Sequence, residues 1–292
     1  MKKLNGNYLK LAIQKDGRLT DETLAFLRSS GLVFESYQKR LFSRCLNFPL
    51  EILFLRDDDI PNYVSAGIVD LGIIGQNLLY ELRPKVKKLL NLRFGFCSLI
   101  VAVPKESNFT NIKELKNQKI ATAYPNSAGR FFSRQDVPVD LVQIKGSVEV
   151  APSLGVAQVI VDLVSTGSTL ILNDLKIIRK IYDSEAVLIT NDKSLISQKE
   201  QSNIKKLLTR FKGVLSARNY KYILMNAPEK ILPRLKKIIP GLKSSTISSL
   251  AKEGWVSVQS VVKEDIFWET MERLKKVGAS EIMVLPIEKI II

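Results

Sequence analysis

The chain has 292 residues, of which 46% are hydrophobic and 25% charged, a globular composition that excludes disorder and suggests two or three domains. It carries a formal net charge of +15 and no histidine, which removes the usual general base, the commonest metal ligand and any Ser-His or Cys-His dyad. Any chemistry must therefore run on carboxylates, Lys, Arg, hydroxyls, backbone amides or bound metal.

The positive charge has two readings: a lysine-rich surface, or a field suited to an anionic ligand. No stretch forms the five-to-eight-residue basic block of a nucleic-acid tail, so nucleic acid is not an expected partner. Cys45 and Cys97 form no CxxC pair and read as free thiols in a reducing compartment. No apolar run approaches the ~20 residues that span a bilayer. The opening MKKLNGNYLKLAIQKDG holds only a short LKLAI patch, too brief for a secretory core. The expected location is the cytoplasm, with no membrane partner.

In chain order, YLKLAIQ reads as a strand and LTDETLAFLRSSG as a helix. Thr20 or Asp21 can cap that helix, Leu24 and Leu27 give it an apolar face, and Gly31 can end it. LEILFLR is a strand. DDDIPNYVSAG is a short helix with acids at its start, Pro61 in its first turn and Gly67 at its end. VDLGIIG and FCSLIVAVP are strands, NIKELKNQ a helix, and KIATAYP, VDLVQIKGS and VAQVIVDLVS further strands. This alternation predicts an α/β architecture with largely parallel sheets. From about residue 220 the order becomes β-α-β-β-α-β: KYILMNA, EKILPRLKKII, STISSLA, WVSVQSVV, DIFWETMERLKKVGA and SEIMVLPIEKI. That is the split βαβ, ferredoxin-like unit, and it predicts a separate domain of roughly seventy residues.

The stretch DLVSTGSTL at 162–170 stands out, because an apolar strand runs into Ser165, Thr166, Gly167, Ser168 and Thr169. Backbone amides, hydroxyls and a following helix together bind phosphate well, and glycine admits close approach. A plain βα turn is the simpler alternative; four hydroxyls in a basic protein favour an anion site. Asp162 lies just upstream and Glu149 thirteen residues before it, in GSVEVAP. Two such carboxylates suit ribose hydroxyls or a Mg²⁺ carried by a phosphorylated substrate, or they are separate surface acids; spacing does not decide.

With QKDGRL at 14–19, RDDDIP at 56–61, VDLGIIGQN at 69–77, GSVEVAP at 146–152, DLVSTGSTL, FWETMERLKKVGAS and VLPIEK, the chain resembles the long form of the ATP phosphoribosyltransferases, the first enzymes of histidine biosynthesis. It departs from the expected pattern at Gln76, where an acid is usual, and in NSAGRFF after Tyr124-Pro125, which includes Arg130. The resemblance implies a two-lobed, periplasmic-binding-protein-like catalytic core: lobe I at 1–102, completed by 185–218, and lobe II at 103–184 with the phosphoribosyl-binding loop. The ferredoxin-like domain at 219–292 would be regulatory.

The implied reaction joins N1 of ATP to C1 of 5-phosphoribosyl-1-pyrophosphate and releases pyrophosphate, with Mg²⁺ as cofactor and histidine as inhibitor. Ser165 to Thr169 would hold the 5-phosphate, and Glu149 and Asp162 the ribose or Mg²⁺. Lys15, Arg18 and Arg56 would meet pyrophosphate or ATP phosphates, though Arg56 could instead pair with Asp57 to Asp59. Asn226, Ser244, Ser245 and Thr246 are the candidate histidine contacts, with ordinary turn chemistry as the alternative. The resemblance further implies a homo-oligomer, dimeric or hexameric, that needs no separate regulatory subunit. A catalytically inactive two-lobed binder or regulatory paralogue is the competing function; the intact QKDGR and DLVSTGSTL argue against it.

Overall fold

The structure is a computed structural model that describes residues 8–35, 41–165, 167–191, 198–239, 245–264 and 267–291. The chain divides into two units, the first comprising Met1–Ala25 with Val33–Gln201 and the second Phe26–Leu32 with Ser202–Ile292.

The first unit opens with β1 (Leu9–Gln14), α1 (Thr20–Ser29), β2 (Phe42–Arg44), β3 (Leu50–Leu55), α2 (Ile60–Ser65), β4 (Leu71–Gly75), α3 (Gln76–Leu82) and β5 (Val86–Asn91). It continues through β6 (Cys97–Pro104), β7 (Lys119–Thr122), α4 (Pro125–Arg134), β8 (Asp140–Gln143), β9 (Val159–Val164), α5 (Ser168–Leu172), β10 (Leu175–Ser184) and β11 (Ala186–Asn191). Two sheets result, a six-stranded one in the order β2-β3-β1-β4-β11-β5 and a five-stranded one in the order β10-β6-β9-β7-β8. The central strands are near-continuous apolar runs buried on both faces; Leu11, Ile52, Leu71, Val101 and Val161 are fully enclosed.

Both sheets are mixed, which corrects the expectation of largely parallel ones. β1 runs parallel to β3 and β4, and β7 to β8 and β9, but β2, β6, β10 and β11 join antiparallel. The antiparallel strands β10 and β11 follow each other with only Glu185 between them, so no helical segment marks them. NIKELKNQ forms only a 3₁₀ turn at Ile112–Leu115, capped reciprocally by Asn111 and Glu114. Asn117 then takes a left-handed backbone (φ 63°), which ends the turn before β7 begins.

The chain crosses between the sheets twice, and the crossings are bonded together. Leu92 N donates to Ala186 O (2.9 Å) and Ala186 N to Phe94 O (2.9 Å). Gly95 lies in the first crossing at φ +63°, and a Cβ there would sit 2.1 Å from the Leu19 side chain, so glycine is required twice over. The residue 102 expected to close lobe I falls inside β6, which belongs whole to the second sheet. From here the sheets are called the first and second lobe.

The second unit holds α6 (Gln198–Ala217), β12 (Tyr220–Pro228), α7 (Leu232–Ile238), β13 (Thr246–Ser249), β14 (Trp255–Lys263), α8 (Phe267–Lys276) and β15 (Ser280–Pro286). Most of α6, expected to complete lobe I, groups with this unit, where Phe211 packs on Phe26 with ring centroids 4.9 Å apart. The strand order β13-β14-β12-β15, antiparallel throughout, is that of a ferredoxin-like βαββαβ domain. Its core joins Ile223, Met225 and Val258 of the sheet to Leu235 and Leu274 of the two helices. Among the described residues no helix is long and apolar enough to cross a membrane.

Candidate active site

Parallel strands deliver their carboxyl ends to one edge of a sheet, and the loops there line the crevice of α/β proteins. In the first lobe these are the loops after β1 and β3. They lie side by side, because Lys15 N donates to Leu55 O at 2.8 Å. Gln14 shapes the first loop: its Oε1 accepts from Leu19 N (3.1 Å) and its carbonyl from Thr20 Oγ1 (3.3 Å). Lys15 is half-buried, while Arg18 and Arg56 are exposed. Arg18 Nη1 donates to Gly95 O at 3.3 Å, which ties this loop to the crossing.

Arg56 makes no ion pair with Asp57, Asp58 or Asp59 among the described residues. Burial raises the Asp57 carboxyl above its ordinary range, and Asp58 and Asp59 push the same way against two backbone hydrogen bonds. Arg56 is absent from those influences. The guanidinium is thus left available to an anion.

In the second lobe the loops after β7, β8 and β9 converge. Glu149 sits on the 3₁₀ turn Val148–Val150, and Asp162 on β9 opposite Ile100 of β6. Asp162 Oδ1 accepts from Leu163 N at 2.8 Å. Burial, helped by the charge of Glu149 and opposed by that hydrogen bond, raises the Asp162 carboxyl to about 6. The charge of Glu149, thirteen residues earlier in the sequence, thus reaches Asp162. Ser165 is exposed where β9 ends. Gly167 follows at φ +76° with open space where a Cβ would point, and its carbonyl accepts from Ile171 N (3.2 Å) as α5 starts. Thr166 and the side chains of Ser168 and Thr169 lie outside the described residues.

Tyr124 connects the lobes electrostatically. Its hydroxyl is pushed well above its ordinary pKa by burial, then by the charges of Asp162, Asp57 and Tyr182, with Arg18 acting the other way. One aromatic ring thus senses acids from both lobes and the arginine of QKDGR. Neither Tyr124 nor Asp57 carries a site role in the sequence pattern; the acid run at the end of a buried strand is the signal available for Asp57.

A third unassigned residue is Glu81, on the buried face of α3 with Asn77 and Leu78. Polar residues at i and i+4 on an otherwise apolar face are the trace it leaves in the sequence. Both departures noted above lie beside it. Gln76 Nε2 donates to the Tyr80 hydroxyl, and Arg130 Nη2 donates to Tyr80 O and to Ser127 Oγ (3.3 Å).

In the second unit Asn226 Nδ2 donates to a Glu281 carboxylate oxygen, and Ser280 Oγ to Asn226 O (3.4 Å). Asn226 faces Ser257 on β14, which faces Ser248 on β13; Thr246 pairs two positions away, with Gln259. That register separates Asn226 from Thr246 by about 12 Å of backbone. Ser245 precedes β13, and Ser244 lies outside the described residues.

Cations on one lobe, two carboxylates and a glycine loop on the other, and no histidine in the sequence define a two-lobed α/β protein. Comparison with known proteins narrows this. Residues 56–213 match the family model described as ATP phosphoribosyltransferase, and residues 217–289 match HisG, C-terminal domain. An ATP phosphoribosyltransferase from Cytophaga hutchinsonii is 43% identical over 97% of this chain and 98% of its own length. One from Phocaeicola vulgatus is 41% identical over 97% and 100%. A solved ATP phosphoribosyl transferase (HisG:HisZ) complex from Thermotoga maritima superposes with a TM-score of 0.59 at 28% identity, covering 70% of this chain and 98% of that one. The chain belongs to the ATP phosphoribosyltransferase family and is an enzyme of histidine biosynthesis.

Proposed function

We propose that the enzyme joins N1 of the ATP adenine to C1 of 5-phosphoribosyl-1-pyrophosphate, forming phosphoribosyl-ATP and releasing pyrophosphate. The observation that carries this reading is the half-buried Asp162, raised to about 6 with the charge of Glu149 acting on it, on the strand that leads into the Gly167 loop. The loop's amides and Ser165 bind the 5-phosphate, and the acids hold the ribose hydroxyls. Lys15, Arg18 and Arg56 neutralise phosphates on the first lobe's side. Displacement at the anomeric carbon builds positive charge on the ribose and negative charge on pyrophosphate, so acids under the one and cations at the other follow the charge as it separates. The attacking ring nitrogen carries no proton to remove. A general base is unnecessary, and alignment with fixed electrostatics suffices.

Among the described residues no cluster of three or more potential ligands could hold a metal alone. Two carboxylates close enough for the charge of one to raise the other do suit a divalent cation that arrives on its substrate. Glu149 and Asp162 would hold Mg²⁺ in that way. When bound, it supplies charge neutralisation at the phosphates.

We extend the proposal to feedback inhibition by histidine at the C-terminal domain, to a homo-oligomer, and to independence from a second subunit. The last is supported by the matched C-terminal domain at 217–289, present in the same chain. The test is turnover of ATP and phosphoribosyl pyrophosphate with Mg²⁺ and added pyrophosphatase, with and without histidine. Phosphoribosyl-ATP that falls away with histidine is the expected result. Product insensitive to histidine would overturn the regulatory role, and no product from folded protein would overturn the reaction.

A further inference from the structure

We infer that Glu81 is a positioning residue that fastens the two lobes and fixes the first turn of α4 together with Tyr124 ahead of it; the kinetic side of this inference rests on the reaction proposed above. The first amides of a helix have no partner within it. In α4 the residue before the helix, Tyr124, makes no side-chain cap, and Pro125 opens the first turn. The missing acceptor comes from the other lobe. Glu81 Oε1 accepts from Asn126 N (2.9 Å) and Oε2 from Ser127 N (2.8 Å). Glu81 is only 7% exposed, so both bonds are shielded from water.

The surroundings act in the same direction. The rings of Tyr80 and Tyr182 pack with centroids 4.6 Å apart, and Arg130 of α4 reaches Tyr80 O of α3. The Tyr182 hydroxyl donates to Ser127 Oγ at 3.4 Å, and Asn77 N donates to Ser184 Oγ at 2.9 Å. Helix α3 of the first lobe is thus held to the start of α4 and to the end of β10. Tyr124, one residue removed from the two amides that Glu81 holds, packs on the second lobe's core, and the charges of Asp162, Asp57 and Arg18 act on its hydroxyl. Whatever displaces the first turn of α4 displaces Tyr124.

Stability does not explain the choice of residue. Glu81 makes no ion pair among the described residues. A buried carboxylate without a cation is expensive compared with an apolar side chain of the same size. What an apolar residue cannot do is grip two amides at once and so define the angle between two lobes.

The experiment compares Glu81→Gln with Ile120→Val, a mild truncation in the core on which α4 packs that leaves both Glu81 bonds in place, both assayed well below their melting temperatures. Glutamine keeps one acceptor and turns an N–H₂ toward the other amide. The expected result is a kcat lower by about ten- to a hundredfold, as misplacement of a reactive geometry on the ångström scale gives. KM for both substrates should stay within about twofold. Hydrogen exchange at the Asn126 and Ser127 amides should quicken selectively. Ile120→Val should keep its kcat and leave those amides protected.

Wild-type kcat in Glu81→Gln, or unchanged exchange at the two amides, would overturn the inference. So would a kcat loss matched by Ile120→Val at equal loss of melting temperature. Should Glu81→Gln not fold, Arg130→Lys removes the neighbouring bond to Tyr80 O without touching the buried acid. It should lower kcat by a smaller factor with KM preserved, and an unchanged kcat would count against the inference. If the wild-type chain shows no turnover, the reaction proposal fails by itself, and the exchange measurement still decides whether Glu81 holds α4.

Discussion

At the ends of β1 and β3 the first lobe offers Lys15, Arg18 and Arg56, two of them exposed and Arg56 in no ion pair among the described residues although three acids follow it. After β8 and along β9 the second lobe offers Glu149, Asp162 and a glycine loop, with Asp162 buried deeply enough to shift its pKa. The same structural device, loops at the carboxyl ends of parallel strands, thus carries opposite chemistry on either side of one cleft. The second lobe's acids are half-buried and depend on geometry and ionisation. The first lobe's are solvated and depend on long-range charge. The two sides should therefore fail differently when altered.

The largest loss is expected from Gly167→Val. Among the described residues, its two chain neighbours aside, no atom lies within 4 Å of the position a Cβ would take, so crowding is not the problem. The backbone is: at φ +76° a β-branched residue is strained, and the loop must change shape to relieve it. KM for phosphoribosyl pyrophosphate should rise by about a hundredfold. The thermal midpoint should move little, since Gly167 lies in a loop at a strand end. An unchanged KM would remove this loop from the site and dissolve the contrast between lobes.

Asp162→Asn comes next and tests ionisation. The folded carboxyl titrates at about 6 against an ordinary value of 3.8. The folded state therefore holds its proton more tightly than the unfolded chain. The resulting stabilisation is complete below about pH 4 and lost as pH rises through 6, a difference of about 3 kcal/mol by linkage. Asparagine cannot ionise, so melting temperatures of the two proteins should diverge across that window, with Asp162→Asn the more stable at pH 8. Activity should go the other way. Wild-type kcat/KM for phosphoribosyl pyrophosphate should climb with an apparent pKa near 6 that belongs to the Asp162–Glu149 pair. The variant should lose about ten- to a hundredfold at pH 8 and lack that limb. The substrate's own phosphate titration is common to both proteins and cancels in the comparison. Parallel pH profiles would show that Asp162 does not meet substrate as an anion.

These positions were unequally visible before the fold was known. Strands such as Leu50–Leu55 and Val159–Val164 are unbroken apolar runs between turn residues, and the Gly167 loop follows one of them, so strand and candidate site were legible together. The βαββαβ order after residue 220 was legible for the same reason. β10 was not: LKIIRKIYDS alternates charges into an apolar run and passes into β11 without a glycine or proline. Without those two strands, and with no local signal for the antiparallel direction of β6 against β9, the alternation reads as parallel. α4 was hidden by Gly129 in its interior, and its N-terminal partner Glu81 lies 45 residues away. The contacts that join the lobes are made by side chains distant in sequence, and no local pattern encodes them.

The smallest effect is expected from Arg56→Ala, and its form matters more than its size. Arg56 is exposed, its backbone carbonyl accepts from Asp59 N (3.1 Å) and Ile60 N (3.3 Å), and removal of the side chain leaves that turn intact. A solvated guanidinium that meets a phosphate contributes about 1 kcal/mol, so KM should rise by about fivefold at low ionic strength. Near 1 M salt the Debye length falls to about 3 Å, and wild type and variant should converge. The loss in Asp162→Asn arises from a desolvated group and should persist at the same salt. An Arg56→Ala deficit that ignored salt would place Arg56 in enclosed contact with substrate, and the division into a solvated and a buried side would have to be redrawn. Had Arg56 served only to neutralise Asp57 to Asp59, its removal would instead raise the Asp57 carboxyl further and shift the activity profile along the pH axis at every salt concentration.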